Sequence, residues 1–222
     1  MFHLAALALL LAGIGLVSRH PGVRSGSLWG LESIQWLGLA VAVPVVHQVI
    51  VWGVWRAQLT DGWILRRFPR WGFRGYLIVF FLLMMGRVVA IIGLAVANRE
   101  TLVISDGTRM GLVLLLGLPT AWLAYSVARY FGFARAAGAD HFDPSFRNRP
   151  LVRKGIFRYT RNGMYTAGFL GFWIPGVWFA SVGALAAALF AHLYIWVHYL
   201  ATERPDMEWI YGEGEEHDPQ AS

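Results

Sequence analysis

Three apolar runs, residues 31–55, 75–97 and 110–133, each exceed the ~20 residues that an α-helix needs to cross a bilayer. A fourth, Met164–Leu200, is too long for one straight span. Ile174-Pro175-Gly176 lies inside it, and an apolar helix, a Pro-Gly break and a second apolar helix make a hairpin. Met1–Val17 is shorter but nearly all apolar. It lacks a basic start and a small-x-small cleavage site, so it reads as a first membrane helix rather than a removable signal peptide. These runs predict an all-α integral membrane bundle of about five to six transmembrane helices. Composition agrees: 14% of the residues are charged, against roughly 25% in a soluble domain.

The loops orient the bundle. Residues 56–74 carry five arginines against Asp61 alone, and residues 134–162 carry seven basic residues against Asp140 and Asp143. Asn98–Arg109 is balanced, with two arginines and two acids. Basic loops stay in the cytoplasm, so the chain is expected to start inside and to return its C-terminus inside after the hairpin. Arg19 and Arg24, in the expected outer loop 18–30, run against this order. The consequence is that residues 154–168 and Glu203 emerge on one face, the cytoplasmic one.

The formal charge of +6 then reads as basic loops facing anionic lipid, not as a nucleic-acid surface. With no cysteine, disulfides, thiolate metal sites and a cysteine nucleophile are excluded. The seven histidines are scattered without metal-ligand spacing, so no metal is expected. No Gly-x-Ser-x-Gly elbow, phosphate-binding Gly-Lys-Ser/Thr loop or Gly-x-Gly-x-x-Gly after a strand occurs. Within the spans, Pro44 and Pro119 are expected to kink their helices. His47, Gln48 and Arg87 are polar groups at membrane depth, which face a bundle interior or a wet cavity. Too few such groups line the spans to suggest a transporter.

Two polar patches carry the chemistry. Arg153, Lys154, Arg158 and Arg161 cluster with Phe157, Tyr159 and Tyr165, and Gly155, Gly163 and Gly168 punctuate the segment. Such a stretch can bind a phosphate, a carboxylate or an adenine ring. It can equally be a plain basic loop with interfacial aromatics. Beyond the last span lie Glu203, Asp206 and Glu208. His192, Trp196, Tyr199 and Glu203 recur at offsets of four, three and four and share a helix face. His198 and Thr202 lie on the neighbouring face.

The two patches, separated by the apolar hairpin, resemble the membrane-embedded methyltransferases. That superfamily joins the isoprenylcysteine carboxyl methyltransferases and the phosphatidylethanolamine N-methyltransferases. The first branch has Gly-Pro-Tyr-Arg-Tyr-Val-Arg-His-Pro-x-Tyr-x-Gly, where this chain has Gly155-Ile-Phe-Arg-Tyr-Thr-Arg-Asn-Gly-Met-Tyr165 and then Gly168. The phospholipid branch has Asp-Asn-Pro-Met-Tyr, Glu-Glu-Pro followed by Ile-Tyr, and an earlier Tyr-Phe-Gly. Here these are Arg161-Asn162-Gly163-Met164-Tyr165, Glu203-Arg204-Pro205 with Ile210-Tyr211, and Tyr130-Phe131-Gly132. Two positions depart from the pattern: Gly163 replaces the motif proline, and Arg204 replaces the second glutamate.

The length suits one transmembrane domain over 1–212, and the resemblance covers roughly 125–212 of it. Residues 1–124 would supply supporting spans, 125–212 a methyltransferase-like core, and 213–222 an acidic, disordered tail. The resemblance implies transfer of a methyl group from S-adenosylmethionine to a lipophilic acceptor entering from the bilayer, foremost the amine of phosphatidylethanolamine or a methylated derivative. An isoprenylcysteine-like carboxylate or a small lipophilic thiol is the alternative acceptor, and a non-catalytic lipid-binding or assembly protein the alternative class. Carried over residue by residue, Tyr130, Gly132, Tyr159, Arg161, Asn162, Gly163, Met164, Tyr165, Gly168, Glu203 and Arg204 would line the cofactor. Glu203 would hold the cofactor's ammonium and Arg161 its carboxylate. Arg153, Lys154, Arg158 and Tyr199 would meet the lipid. If the acceptor is an amine it needs a base, and His198 is the nearest candidate.

Overall fold

The structure, a computed structural model, describes residues 2–146 and 152–215. It is an all-α bundle. In chain order come α1 (Phe2–Val17), the single turn α2 (Pro21–Arg24), a two-residue hairpin of β1 (Ser27–Leu28) and β2 (Leu31–Glu32), and α3 (Ser33–Asp61). Then follow α4 (Trp63–Arg67), α5 (Gly72–Ala97), α6 (Asp106–Ser126), α7 (Phe133–Ala136), α8 (Ile174–Trp178), α9 (Val182–His198) and α10 (Arg204–Glu215). Four helical stretches, Ser33–Asp61, Gly72–Ala97, Asp106–Phe131 and Val182–Tyr211, are long and apolar enough to cross a membrane.

The ends of these helices follow from local chemistry. Glu32 and Gln35 form a capping box that starts α3, and Gly62 in the left-handed region ends it. Ser105 and Ser181 accept backbone N–H bonds from Thr108 and Ala184 and so start α6 and α9. α3 and α6 run on as helices through Pro44 and Pro119.

α3 and α5 pack antiparallel with α9 against them. Lipid tails are as apolar as leucine, so close van der Waals packing rather than water exclusion holds such helices together. Small residues make the approach possible. The Gly93 backbone lies against the Trp36 ring and the Gly86 backbone against Val43. Ala184, Ala187 and Ala188 give α9 a smooth face against Leu37 and Leu94. At one end of the bundle the buried Asn98 ties three segments together. Its Nδ2 donates to the carbonyls of Gly22 and Ser25, and its Oδ1 accepts from Ser181 and Gly183.

Two details differ from the sequence expectation. The hairpin does not break at Pro175-Gly176. Pro175 sits in the first turn of α8, where its missing N–H costs nothing. The chain reverses four residues later, at Phe179–Ser181, with Ala180 at φ 50°. Thr101 and Leu102 donate to the Ala180 carbonyl, and these long-range bonds fix the turn. Second, α10 continues through Glu215, so the first residues of the expected tail are helical. Residues 216–222 lie outside the described residues, as do Arg147 and Arg149 of the basic loop.

Candidate functional site

Three π-helical turns surround one end of the bundle: Val127–Phe131 after α6, Met164–Gly168 at the start of the hairpin, and Tyr199–Glu203 between α9 and α10. A π turn carries one surplus residue and is frequent at functional sites. The second and third overlap the two sequence patches and the first overlaps Tyr130-Phe131-Gly132, and each delivers side chains to a cavity of about 400 Å³, a size suited to a small ligand.

The first turn brings Phe131. The second brings Met164 and Tyr165, next to Arg161 and Asn162. The third brings Tyr199 and Glu203, and α10 adds Arg204, Met207, Glu208 and Tyr211. Arg135 and Asp140 close the wall. Tyr165 is buried and its ring packs against Tyr199 at 5.0 Å and Trp196 at 5.8 Å. The face of α9 that begins at His192 thus turns inward toward the 164–173 segment, and Trp173 donates to His192.

Gly155 shows why the basic segment sits where it does. Its φ is +61°, and a Cβ there would lie 2.4 Å from the Ser126 hydroxyl oxygen. That hydroxyl accepts the Ile156 N–H at 3.0 Å and donates to the Trp122 carbonyl. The start of the segment is therefore pinned to α6.

The charges are sorted. Arg135 donates to Asp140 at 3.2 Å and to the Tyr211 hydroxyl at 2.8 Å, and that hydroxyl donates to Asp140. Burial works against the charged form of Arg135, but Asp140 and Tyr211 more than offset it and hold the guanidinium above its ordinary range. Asp206 pairs with Arg56 of α3 at 3.0 Å and with His141 at 3.3 Å. His141 stacks on Trp55, whose indole donates to Tyr76, which donates in turn to the Ala137 carbonyl. Gly138, at φ +91°, lets this loop press on the Trp55 ring. Glu203 is half-buried and shares the cavity wall with Asp140. Among the described residues it accepts no hydrogen bond and makes no ion pair.

A second cavity of about 370 Å³ adjoins the first. The two share Phe131, Phe157 and Arg161; the second is lined further by Arg153, Arg158, Tyr159 and Thr160 and, among the described residues, by no acid. Of the residues expected to meet cofactor or lipid, Arg161, Asn162, Met164, Tyr165, Tyr199, Glu203 and Arg204 line the first cavity, and Arg153, Arg158 and Tyr159 the second. The others lie elsewhere. Gly163 and Gly168 pack closely on Ile156 and Leu123. Lys154 is exposed at the start of the Gly155–Arg158 turn. Tyr130 packs on Tyr125, and Gly132 ends the first π turn. His198 is buried in the bundle, 5.8 Å from the Trp55 ring, and lines neither cavity.

The family model for phospholipid methyltransferase matches residues 108–214. This part of the chain is similar to phospholipid methyltransferases, in keeping with the membrane methyltransferase superfamily. No curated protein and no solved structure gave a match. The matched stretch runs from α6 to α10 and contains all three π turns and both cavities. Helix α3 lies outside the match, yet its Arg56 and Trp55 reach Asp206 and His141 within it.

Both departures from the methyltransferase pattern are accommodated. Gly163 has φ −54° and ψ −36°, within the range that proline would impose, so the turn keeps its conformation. Arg204 donates to Glu208 one turn along α10 at 2.9 Å, so its charge is answered at the cavity rim.

Arg87 lies outside the matched stretch but packs on it. It is 2% exposed near the middle of α5, and its three guanidinium nitrogens have no hydrogen-bond partner among the described residues. Its charge lies 5.1 Å from the ring centres of both Phe169 and Phe172. A desolvated cation–π contact is worth ~2 kcal/mol. An ion taken out of water costs several kcal/mol even after relaxation, and each orphaned N–H adds ~1–3 kcal/mol. The two rings cover only part of that cost.

Proposed function

We propose that this protein moves a methyl group from S-adenosylmethionine to the amine of phosphatidylethanolamine, or of a partly methylated derivative, at the cytoplasmic membrane face. The observation that carries the reading is Glu203. It is the one carboxylate facing the larger cavity that no described cation or hydroxyl answers, and the cavity wall also offers Arg161 and Arg135. A cavity with an open acid and nearby guanidinium groups suits the ammonium and carboxylate of an amino-acid moiety. Tyr165, Tyr199 and Phe131 add ring faces for a sulfonium or a base. When bound, S-adenosylmethionine supplies an electrophilic methyl group. The residues of the chain align and exclude water, and such a displacement gains most from alignment.

The smaller cavity fits the acceptor's phosphate. Arg153 and Arg158 present cations there beside the shared Arg161. Like charge disfavours an ammonium among arginines, so an amine enters this space in its neutral, nucleophilic form. A histidine base is not needed there, and His198 lines neither cavity. Arg158→Gln is expected to raise the KM for lipid about 3-fold, the scale of an exposed ion pair. The affinity for S-adenosylmethionine should stay unchanged. A matching loss of both would place Arg158 with the cofactor instead.

The arginine counts support a cytoplasmic site: the loop 56–74 and the segment 153–161 both lie at this end. Contacts from α3 to Asp206 support reading 1–212 as one unit. The same acid-free lining would also take an acidic acceptor, a carboxylate or a thiolate, directly as its anion. Lipid mass spectrometry of a host that expresses the protein separates the readings. New mono-, di- or trimethylated phosphatidylethanolamine is expected. Its absence, with S-adenosylhomocysteine still formed from added lipophilic acids or thiols, would transfer the assignment to the acidic acceptor.

A further inference from the structure

The middle of the bundle holds a second polar centre, outside both cavities. The Gly93–Trp36 and Gly86–Val43 contacts set the antiparallel register of α3 and α5. That register puts His47 a little more than one turn (about five residues) from Arg87, toward the site end. A helical side chain leans toward the N-terminus of its helix, so the Arg87 guanidinium leans toward His47. His47 is 1% exposed, and neither ring nitrogen has a partner among the described residues. Any tautomer of His47 leaves at least one N–H without an acceptor.

This centre is dominated by donors and holds no acid: a neutral His47 ring keeps one acceptor nitrogen, against the five N–H groups of Arg87. The two buried acids among the described residues are committed elsewhere, Asp140 to Arg135 and Tyr211 and Asp206 to Arg56 and His141. Phe169 and Phe172 answer the charge of Arg87 through their ring faces but accept none of its N–H bonds. A lone guanidinium with orphaned donors, beside a second orphaned donor, is what an anion needs in order to lose its water shell.

We propose that Arg87 and His47 form an anion site within the bundle that takes a compact monovalent anion. A single charge fits because one cation faces it; a doubly charged phosphate would restore an unpaired buried charge. Compactness follows from the near-complete burial of both side chains. The shared chemistry has two sources: a halide ion from water, or the terminal carboxylate of a fatty acyl chain from the bilayer.

The test measures thermal unfolding of the purified protein in phosphatidylcholine nanodiscs, in sodium gluconate at fixed ionic strength. One arm replaces gluconate stepwise by chloride; the other adds oleate. The site predicts a saturable rise in Tm of about 5 °C in one arm, and the responding arm names the source. Arg87→Met should respond in neither arm. In gluconate it should melt at or above the wild type, since an apolar chain of similar length replaces an uncompensated charge. Arg87→Lys, which keeps the charge, should retain part of the response. A wild type flat in both arms, a response that persists in Arg87→Met, or an Arg87→Met protein that melts well below wild type in gluconate would each overturn the proposal. The last outcome would make Arg87 a strut held by its two rings.

Discussion

Glu203→Ala is expected to weaken S-adenosylmethionine binding by roughly 100-fold, the scale of a hydrogen-bonded charge pair lost from a partly desolvated site. The expectation rests on how the surrounding charge is arranged. Asp140 is held by Arg135 and Tyr211, and Asp206 by Arg56 and His141, while Glu203 is left facing the cavity. Because Glu203 has no described partner to lose, the variant should fold and melt like the wild type. Glu203→Gln keeps the shape and removes the charge, and it should lose most of the affinity as well. Calorimetry on protein in detergent reads both. Unchanged affinity in the alanine variant would show that another group holds the ammonium.

The second large effect falls on stability. Asp206→Ala removes a carboxylate that is 1% exposed and joins α10 to α3 and to the 139–141 turn. Truncating one partner of a buried pair strands the other. Arg56 is 41% exposed on its side chain and can turn to water, but the His141 side chain is fully buried and cannot. We expect a loss of about 3 kcal/mol, seen as a lower Tm and earlier proteolysis of α10. Asp206→Asn can still accept from His141 and should lose less. The Arg56→Ala and Asp206→Ala pair should be less than additive, because they share one contact. A Tm unmoved by Asp206→Ala would show that the α3 contact does not hold α10 in place.

The spans and the identity of the site segments were legible because they depend on long-range composition. Apolar length set the helices, and arginine counts singled out the end that carries the cavities. Glu203, Arg161 and Tyr165 were legible through the motifs that hold them. Arg135 and Asp140 were not, since in sequence they read as two charges of a basic loop. Only the fold brings Tyr211 to them from 71 residues further along the chain, beyond Asp140. The hairpin turn was misplaced because Pro175-Gly176 is the stronger local breaker, whereas the true turn at Ala180 is set by bonds from Thr101 and Leu102. His198 is one residue from Tyr199, which lines the cavity. One residue is about 100° of helix rotation, and it sends the imidazole to Trp55 instead.

The three π turns bear on how the protein can change. Each helix that feeds the cavity holds one more residue than an α-helical path through the same turn requires. Removing a single residue within Val127–Phe131, Met164–Gly168 or Tyr199–Glu203 would let that stretch relax to ordinary α geometry. The span would survive and gain regular hydrogen bonds, while everything on one side of the deletion would rotate away from the cavity. Single-residue deletions at these places thus separate membrane folding from methyl transfer, and an inactive relative built on the same bundle lies one codon from this one at three independent points.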